Sequence, residues 1–115
     1  MRFRRASIAA LGAFTLLLAI PQSASAAVGE FSYSYVGLDG RTHVRILLDP
    51  ESRDCITLPE VADEAATAPA HSPRNRTTSS ATIFTEPDCT GDFFTLRPLV
   101  GRGGETLKLR SVVFS

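Results

Sequence analysis

Residue types that build metal centres and active sites are scarce in this sequence. Its 115 residues include two cysteines, two histidines and no tryptophan. Zinc needs three or four protein ligands, and no Cys-x-x-Cys or His-x-x-x-His accompanies His43 and His71, so no metal site is expected there. No Gly-x-Ser-x-Gly turn is present, and neither histidine has an obvious orienting acid, which makes an enzyme the weakest class. No cofactor is expected.

Concentrated positive charge is missing as well. Beyond residue 26 the chain carries nine Lys/Arg against twelve Asp/Glu, a net charge of −3 with no evident basic face. Nucleic acid and anionic membranes are bound chiefly through clustered Lys/Arg, so neither is an expected partner.

There is one long apolar run, Ile8 to Ile20, and it falls short of the roughly 20 residues that span a bilayer. Arg2, Arg4 and Arg5 precede it, Pro21 ends it, and Ala24-Ser25-Ala26 offers small residues for a cut before Ala27. The reading is a signal peptide over residues 1–26 and an exported domain over 27–115, with no membrane attachment after cleavage. Export places the domain in an oxidising compartment. Both cysteines, Cys55 and Cys89, lie in that part, and an even count in a small secreted domain reads as a disulfide. Closing a loop of about 35 residues would stabilise by up to roughly 4 kcal/mol.

The exported part reads as all-β. Phe31-Ser32-Tyr33-Ser34-Tyr35-Val36 alternates aromatic with serine at the period of a half-buried strand. Gly37-Leu38-Asp39-Gly40 is a turn, and Thr42 to Leu48 returns with Val44, Ile46 and Leu48 on one face. Cys55 to Leu58 is a short strand, and Pro59 to Ala66 predicts a turn or two of helix. Thr67 to Ser80, rich in Pro, Ser and Thr, predicts a loop across the domain edge. Ala81 to Thr85 and Asp92 to Arg97 form a second hairpin, Gly101 to Gly104 a flexible bend, and Leu107 to Ser115 a last strand. About six strands result, with an expected core of Tyr33, Tyr35, Val44, Ile46, Phe84, Phe94, Leu96, Leu109 and Val113.

A spacing recurs in these strands. Phe84, six residues, Gly91 and later Ser111 form one instance; Tyr33, six residues, Gly40 and later Ser72 form another. In this pattern the aromatic covers a folded turn, glycine permits positive φ, and the serine hydroxyl bonds the turn's orphaned backbone groups. The chain thereby resembles the βγ-crystallin superfamily, and in particular its small secreted single-domain members from actinobacteria. The resemblance implies one sandwich of two Greek-key motifs, with the short helix in the first. It also implies a secreted binding module without catalysis, acting as an inhibitor of extracellular proteases or as a toxin against competing microbes through a cell-surface target. A structural or stress-resistant domain is the alternative.

Many microbial members of that superfamily bind calcium through Asp/Asn pairs shortly before the serine. The corresponding positions here are Thr106 and Leu107, and Thr67 and Ala68, none a carboxylate, so those sites look absent. Glu86, Asp88 and Asp92 share one turn but lack the ligand count calcium requires, and they read as a solvated bend. Asn75-Arg76-Thr77 fits a glycosylation sequon. The segment Ala70 to Thr77 draws attention as a proline-stiffened loop that could present Arg74 or Arg76 to a protease as a substrate mimic. The plainer alternative is a crossover between the two motifs, its arginines merely solvated.

Overall fold

A computed structural model describes residues 26–115; the expected signal peptide lies outside the described residues except at Ala26, which bridges Glu51. Eight strands form: β1 (Gly29–Val36), β2 (Thr42–Leu48), β3 (Cys55–Thr57), β4 (Ala70–Thr77), β5 (Ala81–Glu86), β6 (Thr90–Leu96), β7 (Lys108–Leu109) and β8 (Ser111–Phe114). They pair antiparallel into two four-stranded sheets, ordered β2-β1-β4-β7 and β3-β8-β5-β6. Each half of the chain therefore keeps three strands in one sheet and lends its third, β3 or β7, to the other. The halves are interlocked rather than merely stacked.

The core lies between the sheets. Phe31 and Tyr33 of β1, Ala70 of β4 and Leu109 of β7 face Ala81 and Ile83 of β5, Leu96 of β6, and Val112 and Phe114 of β8, with Leu58 and Val61 closing one end. Phe31 meets Phe114 edge to face at 5.3 Å, an arrangement that adds about 0.5–1.5 kcal/mol to the area the two rings bury.

Several expectations change. Eight strands appear where about six were expected, because β4 forms inside the segment predicted as a loop and the expected last strand divides into β7 and β8; the short β3 was expected. Where a helix was expected from Pro59, a single 3-10 turn (Pro59–Val61) forms; Asp63 then stabilises a separate turn by accepting from Ala65 N–H, so no helix propagates. The expected last strand is broken at Arg110, where the chain leaves the first sheet for the second. That bend allows both Leu109 and Val112 to point inward despite their spacing of three.

The segment predicted as a loop, Thr67 to Ser80, contains β4, an interior strand of the first sheet. Its inward residues Pro73, Asn75 and Thr77 are buried, so polarity misled the sequence reading. Proline is tolerated inside the sheet because the β1–β4 ladder bulges there, between Ser32 and Ser34, with Ser72 at a φ of 54°.

In the core list, Tyr33, Leu96 and Leu109 are buried, and Tyr35, Phe84 and Val113 partly so. Val44, Ile46 and Phe94 are 66%, 51% and 53% exposed. For β2 the reason is register. Pairing Phe31 with Leu47, Tyr33 with Arg45 and Tyr35 with His43 turns those β2 residues inward and forces Val44, Ile46 and Leu48 out. Phe94 is opposite inward Ile83 but stands on the edge strand, where the sandwich is open.

Candidate functional site

Three places where side chains gather can be built from the strands upward. The first is the β5–β6 corner. Gly91 adopts a φ of 87°, and a Cβ there would run into Thr85 and Glu86, so the position excludes other residues on two counts. Asp88 and Cys89 also have positive φ, which folds the turn back on itself. The Ser111 hydroxyl accepts from Cys89 N–H at 2.8 Å and donates to Glu86 C=O at 2.6 Å, satisfying two backbone groups the fold-back leaves without ladder partners. Phe84, half-buried on the outer face, packs beside Phe93 at 6.1 Å. The disulfide Cys55–Cys89 ties this corner to β3 across 34 positions of sequence.

The first hairpin is built differently. Gly40 has a φ of 79°, but its turn is short, closed by Gly40 N–H to Gly37 C=O. Tyr33 points into the core instead of over the turn, and its hydroxyl donates to Glu60 at 2.6 Å. Glu60 also pairs with Arg45. Burial and then the neighbouring Glu60 carboxylate push the Tyr33 phenol well above its ordinary value. The Ser72 hydroxyl bonds His71 Nδ1 at 2.8 Å and not the Gly37–Arg41 turn. The two recurrences of the spacing thus occupy dissimilar surroundings.

The second place is a cleft of about 560 Å³ between the β1–β2 turn and the Pro59 turn, lined by Tyr35, His43, Asp39, Glu60 and Asp63 among others. His43 stacks on Tyr35 at 5.5 Å and reaches both oxygens of Asp39 at 3.1 Å. Arg41 N–H, followed by His43, holds the Asp39 carboxyl below its ordinary range. The carboxylates are thus engaged within the chain. Among the described residues no three His, Cys, Asp or Glu side chains assemble into a group able to hold a metal, and Glu86, Asp88 and Asp92 are exposed around their turn.

The third place holds Arg74 and Arg76. Both project outward from β4, an interior strand and not a loop. Beside them runs the segment from Arg97 to Gly104, whose backbone is clamped from several sides. Leu99 N–H bonds Thr77 C=O at 2.9 Å, Asn75 N–H bonds Gly101 C=O at 2.8 Å, and Gly103 N–H bonds Pro73 C=O at 2.9 Å. From inside, the buried Asn75 amide donates to Arg97 C=O at 3.0 Å and, more weakly, to Leu96 C=O. An asparagine so engaged cannot accept a glycan in the folded chain, which removes the sequon reading. The clamped loop leaves Leu99 59% and Val100 71% exposed.

Arg102 forms an isolated antiparallel bridge with Arg74, and Arg74, Arg76 and Arg102 line a groove of about 310 Å³ with Leu99 and Val100. Arg97 and Arg102 line the adjoining groove. None of these four arginines makes an ion pair among the described residues, where the two pairs present are His43–Asp39 and Arg45–Glu60. Glu30 stands opposite Arg76 across the ladder without forming one. The composition suggests no basic face, yet folding gathers four of the nine Lys/Arg beyond residue 26 at one end. Arg97 and Arg102 escaped the sequence reading because Gly101 to Gly104 reads as slack chain, whereas the residues that fix it lie some 25 positions earlier.

Fold and site together define a disulfide-pinned, two-sheet β domain presenting a clamped, arginine-flanked loop. A scan against protein-family models, a search of curated proteins and a search of solved structures each found no match for this chain.

Proposed function

We propose that the chain is a secreted, non-catalytic binding module built as two Greek keys in the βγ-crystallin manner, and that it inhibits an extracellular protease through the loop Arg97 to Gly104. The lending of β3 and β7 between sheets, and the Ser111 hydroxyl bonded into the Phe84–Gly91 corner, support the architectural part. Secretion is supported by the leader-like residues 1–26 and by the disulfide; no helix among the described residues is long and apolar enough to cross a membrane.

The observation that carries the inhibitory reading is the clamped loop itself. A segment whose backbone is already held by β4 loses little conformational entropy on binding, which is how a short exposed stretch gains affinity and resists being cut. Its exposed side chains set two adjacent aliphatic residues, Leu99 and Val100, between two basic ones, Arg97 and Arg102. That suits proteases whose specificity pockets take a basic or an aliphatic residue. The contact moves from the Ala70 to Thr77 segment, where a strand interior leaves no backbone for a protease cleft, to the loop that this strand supports.

A panel of secreted proteases with basic and aliphatic specificities, assayed with residues 27–115, tests the reading. Stoichiometric inhibition of at least one, weakened by Leu99→Asp, is the expected result. If no protease is inhibited while the domain itself resists digestion, the structural alternative takes its place.

A further inference from the structure

We infer that β2 is a self-association edge, and that two copies of the chain join by antiparallel pairing of their β2 strands centred on Ile46. The proposal is independent of the inhibitory reading, since β2 lies two strands from β4 and its loop.

The first sheet ends at β2, and its ladder with β1 runs uninterrupted from Val36–Thr42 to Glu30–Leu48. Beyond its two ends, Gly37 N–H bonds Arg41 C=O and Asp49 N–H bonds Gly29 C=O, both at 2.8 Å. Antiparallel ladders alternate bonded and non-bonded pairs. Odd-numbered β2 residues therefore bond β1, and Thr42, Val44, Ile46 and Leu48 direct their N–H and C=O groups at the open edge. The same residues place an aliphatic row, Val44, Ile46 and Leu48, on the outer face, all of it exposed, with Thr42 exposed at its end.

An edge of this kind is ordinarily guarded by charge, proline, a bulge or brevity. β7 and β3 are short, and β3 is anchored by Cys55. β6 carries Asp92 after Gly91, and its ladder with β5 is interrupted by a bulge. An inward-pointing charge is another such guard, but on β2 the one permanently charged side chain, Arg45, is neutralised by Glu60, and His43 is bonded to Asp39. No unpaired charge protects this edge.

Charge and strand length select the occupant and the register. Edge groups on even-numbered residues can bond only even-numbered residues of a second β2. Centring on Ile46 pairs Ile46 with its copy and Val44 with Leu48, joins the two aliphatic rows on one face, and sets Arg45 beside Leu47. Centring on Arg45 sets two arginines side by side, which is unfavourable, and centring on Val44 leaves Leu48 opposite Gly40, outside the strand. Centring on Leu47 runs out of strand at Asp49, whose φ is 46°. One strand pairing with three aliphatic side chains per copy corresponds to a small, concentration-dependent interface.

Sedimentation velocity over a concentration series reads the association, and thiol cross-linking reads the register. Residues 27–115 should show a monomer–dimer equilibrium, and Ile46→Lys, at a half-exposed position, should weaken it about tenfold or more with an unchanged circular dichroism spectrum. Ile46→Cys should oxidise to a covalent dimer, because opposed Cα atoms in a bonded pair lie about 5.5 Å apart, within disulfide reach. Leu48→Cys, facing Val44 of the copy, should not. A monomer at every concentration, an Ile46→Lys variant that dimerises as the parent does, or Leu48→Cys cross-linking as readily as Ile46→Cys would each overturn the proposal.

Discussion

At the scale of single residues, stability depends on a few polar side chains that complete the backbone bonding of irregular chain. Ser111 satisfies two groups of the β5–β6 corner, so Ser111→Ala leaves a donor and an acceptor unpaired and should cost about 1–3 kcal/mol in urea unfolding. Arg110, buried without a carboxylate, donates to Val61 C=O at 2.8 Å and to Thr67 C=O at 2.7 Å, tying the chain's crossing point to the Pro59 turn region. Tyr33 supplies a pH signature. Folding favours its protonated form, since its folded pKa lies above the ordinary 10.0. That contribution is whole below pH about 10 and is lost as pH rises through the folded value, at up to roughly 1.4 kcal/mol per pH unit. Unfolding midpoints in alkaline buffers should fall accordingly, and Tyr33→Phe should flatten the decline.

At the scale of elements, strands with alternating aromatics announced themselves, and strands defined by partners did not. β1 was legible because Phe31, Tyr33 and Tyr35 repeat at period two. β2 was legible as a strand, but its buried face was not. The more apolar set, Val44, Ile46 and Leu48, is the exposed one, because β1 dictates the phase and Glu60 receives Arg45. β4 was missed because its inward positions are Pro73, Asn75 and Thr77; the two polar ones bond each other locally, and Asn75 also bonds the distant Arg97 C=O, a partner that no local pattern announces. The candidate site suffered in the same way: Arg74 and Arg76 could be named, whereas Arg97 and Arg102 join them through contacts no local pattern encodes. Arg74 and Arg102 set like charges opposite each other, which costs stability. Arg102→Ala should therefore leave thermal stability unchanged or raise it slightly, by about 0.2–1 kcal/mol, while weakening target binding. A marked loss of stability would mean the arginine is structural.

At the scale of the whole molecule, the exchange of β3 and β7 makes neither half self-sufficient, and the Cys55–Cys89 bond joins β3 of the first half to the corner of the second. Replacing both cysteines by alanine should lower stability by about 2–4 kcal/mol and leave the Arg97 to Gly104 loop competent at temperatures where the domain still folds. Comparing melting temperature with target affinity in that variant separates the two properties. The most direct test of the central claim, that this clamped loop is the contact surface, is a titration of an inhibited secreted protease with residues 27–115 and with the Leu99→Asp, Arg102→Ala double variant. The account predicts a one-to-one end point for the parent and no end point for the variant, with both melting alike. Equal titration by the two proteins would contradict it.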